Sequence, residues 1–133
     1  MNESLTIINK YLDLVQAFST DSTAYAVVLH PAIEQTEYPN LLNRTIQRRS
    51  FSEILDNARI ARELLRDPHY EVQNTQISPD GTVILECSWQ ATAINDVGAL
   101  VRNQRISAQV CLFFELREGK IYRMRRYSCY DML

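Results

Sequence analysis

What is scarce in this chain narrows its class first. Positive charge is not in excess: Lys and Arg number 14 against 16 Asp and Glu, for a formal net charge of -2. The electrostatic footprint of a nucleic-acid binder is therefore missing. The small basic groups Arg44, Arg48, Arg49 and Arg123, Arg125, Arg126 have acids nearby and read as solvated faces. No apolar run approaches the ~18 residues of a membrane span. The start, Met1-Asn2-Glu3-Ser4, is acidic and leads straight into a helical pattern, without the basic and apolar regions of a signal peptide. These absences set the expectation of a cytoplasmic protein with neither membrane nor nucleic-acid partners.

Cysteine and histidine are also few. Cys87, Cys111 and Cys129 are too far apart for a zinc or redox motif, and all three fall in strand-like runs, as buried small hydrophobes do. The two histidines, His30 and His69, lie beside prolines at apparent turns and suggest neither a thiol's partner nor a metal pair. No metal or cofactor is expected. Gly/Ser-rich linkers, internal repeats and low-complexity stretches are absent as well, so residues 1–133 read as one domain of ordinary single-domain size.

What is present divides the chain in two. Before Asp67 the pattern is helical apart from one short segment. Ser4 is the expected N-cap of a first helix whose stripe runs through Leu5, Ile8, Leu12 and Val15, widened by Ile7, Tyr11, Leu14 and Phe18. The cluster Ser19–Ser22 ends it and caps a short second helix, which His30-Pro31 stops. Ala32–Tyr38 is a short strand ended by Pro39-Asn40, and Leu41–Arg49 is a loop. Ser50-Phe51-Ser52-Glu53 then fits a capping box, opening a third helix that Asp67-Pro68 closes.

After Asp67 the chain is almost continuous strand, paced by the turns Ser78-Pro79-Asp80-Gly81 and Arg117-Glu118-Gly119-Lys120 and a longer connection, Asn95–Asn103. Val83, Leu85, Cys87, Trp89, Ala91 and Ala93 share one face of one strand; Ile106, Ala108, Val110, Leu112, Phe114 and Leu116 share one face of the next. Strands this long must twist and curl, and a curled sheet buries its concave face on helices. The expected fold is α+β: a curved, cone-shaped sheet wrapped around three N-terminal helices. Such a container leaves a cavity at its open end, and Glu37, in Glu37-Tyr38-Pro39-Asn40, is the carboxylate placed to face it. The uncharged polar set Ser88, Gln90, Thr92, Ser107 and Gln109 fits either a wet dimer face or plain solvent exposure.

Three places carry a family likeness: Tyr11-Leu12-Asp13-Leu14-Val15 leading to Asp21 and Leu29-His30-Pro31; Glu37-Tyr38-Pro39-Asn40 after a short strand; and Glu118-Gly119-Lys120-Ile121 followed by Tyr127 and Asp131. In that order and spacing the chain resembles the nuclear transport factor 2-like superfamily, with its SnoaL-like polyketide cyclases and ketosteroid isomerase. The resemblance implies a cystatin-like roll with an internal pocket for a small apolar molecule, and a homodimer through the outer sheet face. Ketosteroid isomerase has a carboxylate base at the end of its first strand and a tyrosine donor on its first helix; Glu37 and Tyr11 stand at positions that look equivalent. Tyr38, Trp89, Phe113 and Tyr127 are further candidate lining groups, and His30 a weaker one.

One departure matters. Where that isomerase carries a protonated aspartic acid, this chain has Leu112, which argues against its two-donor oxyanion hole and against steroid isomerisation. Glu86 and Glu115 are the strand acids available, neither well placed on the apolar face. Bland readings stand beside these: Tyr11 as a core tyrosine, Glu37 as an acid paired with Arg44, Arg48 or Arg49. Two functions are open at this point. One is proton transfer next to a carbonyl, by isomerisation, cyclisation or dehydration; the other is a non-catalytic binding or adaptor protein using the same pocket or sheet face.

Overall fold

A computed structural model describes residues 2–96 and 100–131. In chain order the elements are α1 (Glu3–Gln16), α2 (Ser22–Val28), β1 (Leu29–Glu37), β2 (Gln47–Arg49), α3 (Phe51–Leu64), β3 (Leu65–Ile77), β4 (Val83–Ala93), β5 (Arg105–Arg117) and β6 (Lys120–Tyr130). The six strands form one mixed sheet in the order β2-β1-β6-β5-β4-β3. Only β1 and β6 run parallel; β3 through β6 form the antiparallel meander expected from the alternation. The expected α+β cone, three helices against a curved sheet, is the observed architecture.

Helix ends follow local chemistry. Asn2, not Ser4, caps α1, its side chain accepting from the backbone of Ser4 and Leu5. Asp21 caps α2 by accepting from Thr23 and Ala24. The capping box of α3 is complete: Ser50 Oγ accepts from Glu53 N, and Ser50 N donates to Glu53 Oε1 at 2.9 Å. Those Ser50 bonds hold the Glu53 carboxyl below its ordinary value. Replacing Ser50 with Ala is expected to cost about 1 kcal/mol in urea or thermal unfolding; an unchanged midpoint would show the cap to be idle.

Several expected boundaries move. Strand β1 begins at Leu29, directly behind α2, so His30-Pro31 lies within a strand rather than at its approach. The loop before Ser50 contains β2, which pairs antiparallel with the end of β1 through Gln35–Arg49 and Glu37–Gln47. Helix α3 stops at Leu64, and Asp67-Pro68 falls inside β3. There the register shifts between Arg66 and His69, with Asp67 at φ 53. An edge strand with a bulge tolerates a proline because no ladder donor is lost to a neighbour. The connection through Gly98 lies partly outside the described residues.

The core lies between the helices and the concave sheet face. Leu112, Phe114, Ile121, Val83 and Cys87 of the sheet are fully buried with Ile8 of α1 and Tyr25 and Val28 of α2. Tyr11 packs edge-on against both Tyr25 and Phe114. Helix α1 is pinned to β3 by Gln16, whose Oε1 accepts from Tyr70 N at 2.8 Å.

Candidate functional site

On the concave face one row of side chains runs across three strands. Parallel pairing sets Glu37 of β1 beside Arg126 of β6, and antiparallel pairing sets Arg126 beside Leu112 of β5. Arg49, from β2, lies on the same face because its register partner, Gln35, does. Gln35 is buried, as is Tyr11 beneath it. The sheet and helices thus bring Tyr11, Gln35, Glu37, Arg49 and Arg126 to one region.

A chain of polar contacts connects them. Gln35 Nε2 donates to Tyr11 Oη at 3.0 Å, and Gln35 Oε1 accepts from Arg49 Nη1 at 3.2 Å. Arg49 Nη2 lies 3.0 Å from Glu37 Oε1, with the two side chains only 13% and 15% exposed. Asn40 Nδ2 donates to the other carboxylate oxygen, Oε2, at 3.1 Å and also to Tyr38 O. Of the three arginines the sequence offered Glu37, Arg49 is therefore the partner. Tyr11 reaches Glu37 through Arg49 and through Gln35, a residue that neither the helical stripe nor the Glu37 turn reveals.

Burial keeps Tyr11 protonated. Desolvation, followed by the neighbouring phenols of Tyr70 and Tyr25, pushes its hydroxyl well above its ordinary value. Its oxygen accepts from Gln35, which leaves the O–H as a donor.

Arg126 is the functional-region residue that local sequence reasoning misplaced. A bulge explains it. Leu116 pairs with Ile121, but Glu115 pairs with Arg123, so β6 carries one extra residue at Tyr122. Counting by twos from Ile121 would turn Arg123, Arg125 and Tyr127 inward. The extra residue reverses that parity, and Met124, Arg126, Ser128 and Tyr130 face the helices instead. The Arg126 side chain leans along its strand, Nε donating to Ser128 Oγ at 3.0 Å. Its guanidinium carbon lies 5.6 Å from the Tyr70 ring and 5.5 Å from the Trp89 ring. Burial works against its charge, yet the phenols of Tyr70 and Tyr130 and the Glu37 carboxylate outweigh that and hold the charge firmly.

The remaining candidates divide by face. Trp89 is buried on the concave side, edge-on to Tyr130 at 6.1 Å. Tyr38, Phe113 and Tyr127 are on the outer face, which corrects their expected place inside. Phe113 lies between Leu112 and Phe114, both wholly buried, and strand alternation turns it outward. Tyr38 follows inward-facing Glu37 and stacks on Tyr127 at 4.5 Å, with Phe113 edge-on to Tyr127 at 5.6 Å. His30 is at the opposite end of β1 from Glu37, edge-on to Tyr122, with Nε2 3.6 Å from Glu118 of the last hairpin. Glu115 is also outside, paired with Arg125.

Among the described residues, sizeable surface depressions lie away from this region. One of about 430 Å³ lies among Leu29, Pro31, Ser50, Phe51 and Lys120. Another, about 370 Å³, lies on the outer face among Thr36, Tyr38, Glu115 and Arg125. Neither is lined by Glu37, Tyr11 or Arg126. Among the described residues no group of His, Cys, Asp and Glu could hold a metal, and no helix is long and apolar enough to cross a membrane.

No family model and no curated protein matches the chain. Solved structures do. IdmH of Streptomyces antibioticus, a candidate polyketide cyclase, superposes with a TM-score of 0.76 at 13% identity, over 96% of this chain and 92% of that one. An NTF2-like protein of Burkholderia thailandensis gives 0.70 at 20% identity over 96% and 92%. A Catenulispora acidiphila protein with a ketosteroid isomerase-like fold, solved with trimethylamine, gives 0.66 at 9% identity over 91% and 83%. At these identities the likeness establishes a shared fold: the architecture is that of the nuclear transport factor 2-like, SnoaL-like proteins.

Proposed function

We propose that this chain is a SnoaL-like enzyme acting on a small, largely apolar carbonyl compound by proton transfer at the adjacent carbon. The reading rests on one observation, the sheltered chain of hydrogen bonds that positions Tyr11 and Glu37 through Gln35 and Arg49. Glu37 takes the role of base. Its carboxylate oxygens have spare lone pairs even with Arg49 and Asn40 bound, and its 15% exposure keeps competing water scarce. Tyr11 supplies the hydrogen bond to the enolate oxygen as it forms. A protonated phenol in a low-dielectric site stabilises developing charge better than water does. Isomerisation, cyclisation and dehydration share this first step.

The competing reading is a protein that binds the same kind of molecule without turning it over. The Arg49 and Asn40 contacts favour it, because a carboxylate already supplied with donors gains less by taking a proton. Deuterium exchange at the carbon beside the carbonyl, followed by NMR on a panel of cyclic ketones, separates the two. If Glu37 is the base, the wild type accelerates exchange and Glu37→Gln slows it about a hundredfold or more with ketone affinity nearly unchanged. Exchange unaffected by the substitution would remove Glu37 as base; affinity without any exchange would favour the binding protein. Native mass spectrometry of protein from its own host identifies a retained ligand directly.

The quaternary and cellular assignments belong to the same proposal. The chain acts as one domain and pairs with a second copy through the outer sheet face, where Tyr38, Phe113 and Tyr127 cluster with the Arg125 guanidinium over the Phe113 ring. Three free thiols suit a reducing compartment, the cytoplasm.

A further inference from the structure

The concave face carries an unbalanced charge. Among the described residues, the inward positions of the six strands include two arginines, Arg49 and Arg126, and one carboxylate, Glu37. Arg49 is committed to Glu37 and Gln35. Arg126 has Glu37 as its neighbour on β1, but its neighbour on β5 is the apolar Leu112, so no acid answers it from that side. The helical side chains packed over this face, Ile8, Tyr11 and Leu12 of α1 and Ile54 and Leu55 of α3, carry no acid either.

The guanidinium is also incompletely bonded. Nε donates to Ser128, while Nη2 is shielded from solvent and is the single buried side-chain nitrogen or oxygen without a hydrogen-bond partner among the described residues. A buried donor left without a partner is costly, and more so when charged. Buried charges are ordinarily paired. Around it stand Tyr70, whose hydroxyl lies within reach of the guanidinium, and the rings of Trp89 and Tyr130, flat surfaces that suit the body of an organic molecule rather than a hydrated inorganic ion.

We propose that Arg126 anchors the carboxylate of a monoanionic organic acid whose apolar body lies against Trp89, Tyr70 and Tyr130. One negative charge balances the face, and a carboxylate oxygen supplies the acceptor that Nη2 lacks. This rests on the interior being the ligand site, as proposed above, and it narrows that ligand to a carbonyl compound that also bears a carboxylate.

Trp89 is the single tryptophan in the chain and lies beside the guanidinium, so its fluorescence reports on the site without a label. Cyclohexanecarboxylate and its neutral amide, cyclohexanecarboxamide, match in shape and are transparent where indole absorbs. Titrated at neutral pH, the carboxylate is expected to give a saturable change with affinity about tenfold or more above that of the amide. Arg126→Met should erase that preference and Arg126→Lys should keep part of it, with melting transitions confirming that both variants fold. Equal affinity for the two probes, a preference that persists in Arg126→Met, or no saturable response to either overturns the assignment. Exchange on neutral ketones, followed through Glu37→Gln, tests the base separately; its loss there would leave the base standing even if the anion preference were absent.

Discussion

Glu37→Leu is expected to destabilise the protein by about 3 kcal/mol, the lower end of the range for breaking a buried ion pair, because the two side chains stay 13% and 15% exposed. The leucine takes away the carboxylate that answers Arg49 and lies beside Arg126, leaving two cations on the concave face with no anion. Asn40 loses a partner as well. The double variant Glu37→Leu, Arg49→Met should recover much of the loss, because an apolar pair of similar volume costs no desolvation. Urea midpoints of the two single variants and the double close the cycle. Additive losses would mean that the 3.0 Å pair contributes nothing as a pair; a Glu37→Leu protein within about 0.5 kcal/mol of wild type, the range of neutral surface changes, would place the carboxylate outside the fold's buried charge network.

The second large effect is alkaline loss of stability. Burial pushes the Tyr25 hydroxyl from 10.0 up to about 12 and the Cys87 thiol from 9.0 up to about 11. Tyr11, Tyr70 and Tyr130 are raised too, first by desolvation. In each case the folded state holds its proton to a higher pH than the unfolded chain. As pH passes 9 and then 10, the unfolded chain ionises while the folded protein does not, so the unfolded state binds fewer protons and stability falls as pH rises. The contribution is complete below about pH 9 and is used up as pH climbs through about 11 for Cys87 and about 12 for Tyr25. Each of these two groups accounts for on the order of 2 to 3 kcal/mol across its window. Denaturant midpoints from pH 8 to 11 should therefore drop steeply, and Tyr25→Phe with Cys87→Ala should flatten the slope whatever they do to stability at neutrality. A level profile over that span would show the phenols and the thiol to be solvated in the folded state.

Signals between residues close in sequence predicted their structures well. Ser50 and Glu53 are three apart, and their reciprocal bonds need nothing else. Gly119, at φ 73, makes the tight turn that its residue type suggests, with Glu118 drawn to φ 54 beside it. The alternation through β4 and β5 picked out the buried residues Val83, Leu85, Cys87, Trp89, Ala91 and Ala93 and, on the next strand, Ile106, Ala108, Val110, Leu112 and Phe114. Asp67-Pro68 misled, since a proline after a helical stripe reads as a terminator. Here the helix had already ended at Leu64 and the proline sits in an edge strand.

The site was legible only in part. Glu37 could be named because a carboxylate at a strand end next to Pro39 stands out, but its partner could be narrowed only to Arg44, Arg48 or Arg49, because β2 is three residues long and has no hydrophobic pattern of its own. Arg126 was hidden by one residue. The bulge at Tyr122 is visible only in the pairing with β5, and it decides whether Arg126 or Tyr127 faces the helices.

The chain by itself determined the helices, the capping box of α3, the meander and the apolar faces of its two central strands, because each depends on neighbours a few positions away. Tertiary structure alone decided that Glu37 meets Arg49, that Arg126 lies beside Glu37 with a donor unspent, and that Tyr38, Phe113 and Tyr127 face outward. Those outcomes turn on a parallel register spanning some ninety residues of sequence and on a single-residue bulge, and the free energies that select them arise only when distant strands come into contact.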